Sequence, residues 1–225
     1  MIRKNELRNY MYKEVFKGGV GEIVEKKSRF IASVFPVSTE EEAIDIINQL
    51  KKKYWDARHN CYAYVCGHND DVVRFSDDGE PAQTAGKPML DILMSENVKN
   101  ILVVVTRYFG GVLLGTGGLV RAYQQATKEG LKNSTVLEME DSYVLEITTD
   151  YTDVGKIKYI CASYDAKEVN CEYGQYAVTT VVVSANNKPA FVDKLTQATS
   201  ARAKVDEKER GFYHAYGTDI IKSRG

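Results

Sequence analysis

The chain has 225 residues, enough for one large or two modest domains, each with its own core. Its 30 basic and 31 acidic side chains leave a formal net charge of −1, which excludes a generally basic nucleic-acid protein; any RNA contact must come from a local patch. The hydrophobic fraction of 44% is ordinary for a globular protein, no stretch reaches the apolar length of a membrane span, and residues 1–6 lack a signal-peptide core, so the expected location is the cytoplasm.

Residues 10–37 read as three strands, at 10–17, 21–25 and 28–37. Gly18-Gly19 punctuates the first connection and Lys26-Lys27 falls at a hairpin-like bend. Ser38 with Glu41 forms a capping box for a helix reaching Tyr54, whose apolar face is Ala43, Ile46, Ile47, Leu50 and Tyr54. Lys51, Lys52 and Lys53 suit the C-terminus of that helix by opposing its dipole. Residues 60–66 and 72–75 look like a strand pair joined at Gly67-His68-Asn69-Asp70, and an acidic turn, Asp77-Asp78-Gly79-Glu80-Pro81, precedes a short helix opening near Pro88.

The run Ile101-Leu102-Val103-Val104-Val105 has strand length and no polar alternation, so it reads as a central strand covered on both faces. It leads through Arg107 into a loop with five glycines in nine residues, Gly110, Gly111, Gly115, Gly117 and Gly118. Beyond them Leu119, Tyr123, Ala126 and Leu131 recur at helical spacing, with Thr116 placed to cap the helix. Free N–H groups at such a start attract anions, and Arg107 and Arg121 would add charge. Arg121, Gln125, Lys128 and Lys132 form one polar, mostly basic stripe along the helix. The alternative is that the glycines only allow close packing on the sheet; the spacing matches neither GxxxxGK[ST] nor GxGxxG.

A second constellation is His59 with Asp77, Asp78 and Glu80, since clustered carboxylates can share a proton or hold a cation and a histidine can serve as base. The competing reading is a turn that uses Asp, Gly and Pro for backbone reasons. Cys61, two residues after His59 on a strand, faces the same side, as either a nucleophile beside a base or a buried inert thiol. Cys61, Cys66, Cys161 and Cys171 form no CxxC pair, and His59, His68 and His214 lack ligand spacing with them, so no metal site is expected.

The second half reads as strand 143–149, helix 153–164, strands 168–172 and 176–184, helix 189–199 and a closing strand 203–207, a ferredoxin-like βαββαβ order. Residues 211–225, with Tyr213, His214 and Tyr216, read as a tail lying across a domain surface.

The segments Lys27-Ser28-Arg29-Phe30-Ile31-Ala32, His59-Asn60-Cys61-Tyr62-Ala63-Tyr64, Ser76-Asp77-Asp78-Gly79-Glu80-Pro81 with Thr84-Ala85-Gly86, and Thr106-Arg107-Tyr108-Phe109-Gly110-Gly111 through Gly117-Gly118-Leu119-Val120-Arg121 stand in the order of the IMPACT/YigZ family, which the chain strongly resembles. The resemblance implies an α+β architecture: a domain over residues 1–140 like ribosomal protein S5 domain 2, then a ferredoxin-like domain over 141–225. The pair is similar to domains IV and V of elongation factor G. It also implies a non-catalytic regulatory protein of translation that binds RNA, the ribosome or a translation-related protein partner, without cofactor, membrane contact or DNA sequence readout.

Eukaryotic members restrain a kinase by competing for its activator. This chain departs from them in carrying a ferredoxin-like half, so kinase control is not carried over. The binding residues expected from the loop are Arg107, Gly110, Gly111, Gly115, Thr116, Gly117, Gly118, Arg121 and Lys128, with His59, Asp77, Asp78 and Glu80 as a possible second site. The rival class is an enzyme acting on a phosphorylated or nucleotide-like small molecule, built from the acidic turn and the glycine loop. A deep pocket joining the carboxylates to Arg107 would favour it. A third option is a protein-binding adaptor docking through an apolar patch of the ferredoxin-like half.

Overall fold

A computed structural model describes residues 11–216 and 219–224; the expectations that touch residues 1–6, Tyr10 and Gly225 lie outside them. The protein is mixed α+β and divides into two compact units, Tyr12–Glu138 and Met139–Ser223. The chain passes from one to the other inside a single long strand, β8 (Thr135–Thr149).

The first unit is built on an antiparallel sheet of order β2-β3-β7-β4-β5, formed by β2 (Val20–Glu25), β3 (Ser28–Pro36), β4 (His59–Cys66), β5 (Val72–Ser76) and β7 (Ile101–Tyr108). β1 (Met11–Lys17) pairs in parallel with the short β6 (Val98–Lys99). The β2–β3 bend falls at Lys26 and Lys27, both with positive φ (45° and 66°), as a two-residue hairpin turn of matching twist requires.

β7 is the central strand, and its unbroken apolar run has a direct structural meaning. Ile101, Val103 and Val105 enter a core with α2 (Gly86–Ser95) and α3 (Thr116–Lys132), while Leu102 and Val104 enter the opposite core under α1 (Glu40–Lys53). The cap of α1 sits one residue later than the Ser38–Glu41 expectation. Thr39 is the N-cap, its hydroxyl accepting from the Glu42 N–H, and the Glu42 carboxylate accepts from the Ser38 N–H. One box replaces the other because Thr39 and Glu42 have the same spacing as Ser38 and Glu41.

α2 opens at Gly86, two residues before Pro88, because Asp77 reaches across to it. One Asp77 carboxylate oxygen accepts from the N–H groups of both Ala85 and Gly86, 3.0 and 2.8 Å away, doing the work of a cap from outside the helix.

The second unit contains α4 (Val154–Ser163), β9 (Lys167–Tyr173), β10 (Ala177–Ser184), α5 (Lys188–Ala198) and β11 (Lys204–Tyr216). Its strands run antiparallel in the order β9-β10-β8-β11, the ferredoxin-like pattern. Leu145, Ile147, Val181 and Val183 meet Ile157, Ile160, Phe191 and Leu195 of the two helices in its core.

The expected tail is not a tail. β11 continues to Tyr216, and β12 (Asp219–Lys222) folds back on it, Tyr213 opposite Lys222. Two features hid this from a periodicity argument: a register shift between Glu207 and Glu209 breaks the alternation, and the charged run Asp206-Glu207-Lys208-Glu209-Arg210 looks solvated. The fifteen residues of β8 supply a partner far enough along for the strand to persist, and Arg210 forks onto the Asp141 carboxylate at 3.0 and 2.6 Å.

Among the glycines after β7, Gly110 is demanded by space. A Cβ there would lie 2.1 Å from the Lys27 carbonyl carbon, whereas one on Gly117 would meet nothing nearer than the Arg121 guanidinium at 3.8 Å. Gly110→Ala is therefore expected to lower stability by roughly 1–3 kcal/mol in urea denaturation, while Gly117→Ala, inside a helix, leaves it unchanged or slightly raised.

Candidate anion-binding site

The ladder of β7 sets the first residues of the site. Arg107 lies opposite Phe30 of β3 and His59 of β4, and cross-strand partners share a face, so all three point to the side covered by α2 and α3. Arg107 is 6% exposed. Its guanidinium carbon stands 5.3 Å from the centre of the Phe30 ring and 5.7 Å from that of Phe109.

Glu80 meets this cation from the acidic turn. One of its carboxylate oxygens accepts from Arg107 Nη1 at 2.5 Å and from the Tyr123 hydroxyl at 2.8 Å. Burial, with Cys61 and Glu80 alongside, raises the Tyr123 phenol far above its ordinary range, so it stays a donor. The other Glu80 oxygen is 4.0 Å from His59 Nε2. His59 Nδ1 lies 2.8 Å from the Asp78 carbonyl oxygen, which only accepts, so Nδ1 carries a proton and donates it there.

Asp77 and Asp78 do not join this group. Asp77 spends its carboxylate on the N–H groups of Gln83, Ala85 and Gly86; Asp78 spends one oxygen on the Asn60 N–H and the other on Lys51. They shape the turn, with Asp78 and Gly79 both at positive φ, and so hold Glu80 in place. The four-residue acidic site of the sequence reading thus reduces to His59 and Glu80.

Cys61 faces the same side as His59, yet it is fully buried, and its Sγ donates to the Asp77 carbonyl at 3.0 Å. Burial pushes this thiol well above the ordinary range, which makes it an inert thiol and not a nucleophile.

The glycine loop forms the opposite wall. Gly115, at φ 68°, takes the N-cap position of α3, and Thr116 is the first helical residue and not its cap. With no side-chain cap, the first N–H groups of α3 have no partner within the helix. Arg121 folds back so that one Nη approaches Gly117.

Between the two walls lies a cavity of about 460 Å³, lined by Arg58, His59, Glu80, Arg107, Phe109 and Thr116 among others. Gly110 and Gly111 turn the chain into this loop. Lys128 is elsewhere, lining a separate groove of about 490 Å³ with Lys13 and Lys132. Arg121, Gln125, Lys128 and Lys132 are all exposed along one face of α3. Sequence reasoning missed Arg58, whose guanidinium stands 5.8 Å from the Phe109 ring, and read Tyr123 only as core. The signal for Arg58 was its place immediately before His59.

Fold and site together define a two-unit α+β protein whose first unit carries a glycine-loop cavity closed by a buried Arg–Glu pair. A family model described as the Impact N-terminal domain matches residues 26–131, and one described as a domain of unknown function, DUF1949, matches residues 147–202. The chain is 40% identical over 202 residues to IMPACT family member YvyE of Bacillus subtilis, covering 89% of this chain and 92% of that protein. It is 38% identical over 172 residues to IMPACT family member YigZ of Escherichia coli, covering 76% and 84%. The chain belongs to the IMPACT family.

A solved structure described as that of a hypothetical protein is similar at 32% identity and a TM-score of 0.56, over 89% of this chain and 98% of that one. Mouse Protein IMPACT is 40% identical over 98 residues only, 41% of this chain and 30% of its own length.

Removing the Glu80 carboxylate strands a buried guanidinium and a buried phenol. Glu80→Ala should cost about 3–5 kcal/mol of unfolding free energy, read from chemical denaturation. The thiols give a second check. Cys61 is raised beyond reach, and burial pushes Cys66 and Cys161 up to about 11, whereas Cys171 is half-buried on β9. A raised pKa means less thiolate, so alkylation of the native protein at pH 8, followed by mass spectrometry, should modify Cys171 first.

Proposed function

We propose that this protein is a non-catalytic, translation-associated regulatory protein of the cytoplasm that binds RNA or the ribosome by contacting backbone phosphates with the start and the exposed face of α3. The observation that carries this reading is the continuity of one surface. The uncapped helix start, the Arg121 guanidinium beside Gly117, and exposed Gln125, Lys128 and Lys132 succeed one another along the same helix. In a chain of net charge −1, a helix face bearing three cations is a local patch of the kind phosphate contact needs.

The link to translation comes from the family resemblance and from the expected likeness to elongation-factor domains. Among the described residues no helix is long and apolar enough to cross a membrane. The second unit, matched by a domain of unknown function, adds the scope for a protein partner.

Binding of the purified chain to ribosomes and to a short structured RNA is to be measured across a salt series. Affinity should fall steeply with salt, and Arg121→Ala and Lys128→Ala should each weaken it and lower the slope of log affinity against log salt by about 1. Absence of binding at low salt, or binding indifferent to salt and to both variants, would contradict the proposal.

A further inference from the structure

The cavity between the acidic turn and the glycine loop is not needed for a contact along the outside of α3, yet it holds an arrangement that asks for an occupant. Arg107 offers five N–H donors, and of its side-chain nitrogens only Nη1 meets an acceptor among the described residues, the single Glu80 oxygen. Its Nε is buried and has no hydrogen-bond partner among the described residues. A buried donor left unmade costs about 1–3 kcal/mol, and a native fold keeps such a group where something else completes it.

Nε and Nη2 share one edge of the guanidinium, Arg107 lines the cavity, and the partner that fits such a fork is an oxyanion, carboxylate or phosphate. The Glu80 carboxylate lies in the same lining, and two positive features stand against it. Arg58 stands beside the same Phe109 ring as Arg107, and the uncapped start of α3, with Gly115 and Thr116, forms another wall. Water alone would suit a small polar niche. This cavity is about 460 Å³, within the size range of small-molecule sites, and Phe109, Leu113, Leu114 and Leu119 give it apolar walls. Leu113 is 83% exposed, so its side chain is open to a ligand entering the cavity.

We infer that this cavity binds a small molecule with an oxyanion head and an apolar or aromatic body, the head received by Arg107 Nε and Nη2 and the body by Phe109 and Leu113. The inference goes beyond the RNA reading; the two share the start of α3, but the RNA-binding variants lie on its outer face and not in the cavity, so either idea can fail alone.

The test uses the full chain with a matched pair of probes, phenyl phosphate and benzoate, and inorganic phosphate for comparison. Binding is followed by calorimetry and by the ¹⁵N-edited NMR signal of the Arg107 Nε–H. The expected result is saturable binding of at least one aromatic probe, with a shift of the Arg107 Nε–H resonance. The tighter of the two identifies the head as phosphate or carboxylate.

Arg107→Lys, which keeps a cation for Glu80 but loses the fork, should weaken binding about tenfold or more. Leu113→Ser, on an exposed wall, should weaken the aromatic probes and leave inorganic phosphate unaffected. No binding of either aromatic probe to the folded wild-type chain overturns the inference. So does binding that leaves the Nε–H resonance unmoved, and this reading in the wild-type chain decides the matter if Arg107→Lys does not fold. Inorganic phosphate binding as tightly as phenyl phosphate overturns the apolar part of the assignment.

Discussion

The contact between Arg107 and Glu80 is the constraint on which the first unit depends. A guanidinium in the interior is tolerable only with an acceptor delivered to it, and a buried carboxylate only with a donor. Meeting that demand fixes four pieces of chain at once: β7 supplies the cation, the turn after β5 supplies the anion, α3 supplies the Tyr123 hydroxyl, and β4 places His59 beside the second oxygen. Asp77 and Asp78 belong to the same constraint. By binding backbone N–H groups of the turn, of α2 and of β4, they make the loop rigid enough to aim Glu80.

With these pieces fixed, the start of α3 is fixed too. Tyr123 ties the inner face of the helix to the buried pair, and Phe30 packs edge-on against its ring at 5.2 Å. The opposite face, from Arg121 to Lys132, is thereby held towards solvent. One helix thus separates two kinds of chemistry: an inner face that completes a buried polar network at a cavity, and an outer face that carries exposed cations. Long-range phosphate attraction belongs to the second, because exposed charges act through solvent. Recognition of a small ligand would belong to the first, where Arg107 and Glu80 are buried and each donor counts for more.

Much of this architecture could be read from residue patterns, and the failures are instructive. β7 was legible because a strand between two cores must be apolar at every position, and α1 because its apolar face repeats with the helical period. The βαββαβ order was legible for the same reason of period. The site was harder. Arg107 and Glu80 are 27 residues apart, so no local spacing joins them, and the glycine loop and the acidic turn looked like two sites when they are the two walls of one cavity. Charge misled twice: Arg107 was expected to lend free charge to the glycine loop and is buried against Glu80, and the charged run near Lys208 looked like the end of a strand that continues to Tyr216. The cap of α3 was misplaced at Thr116 because residue type favours threonine, while the backbone there turns through a positive φ at Gly115.

The measurement that tests the central claim most directly is an amide NMR titration of the isotope-labelled chain with a short structured RNA at low salt. If backbone phosphates contact the start and the outer face of α3, the largest shifts belong to the amides of Thr116, Gly117 and Gly118 and run on through Arg121 and Lys128. Shifts concentrated in β9 and β10, with the α3 amides unmoved, would contradict the account.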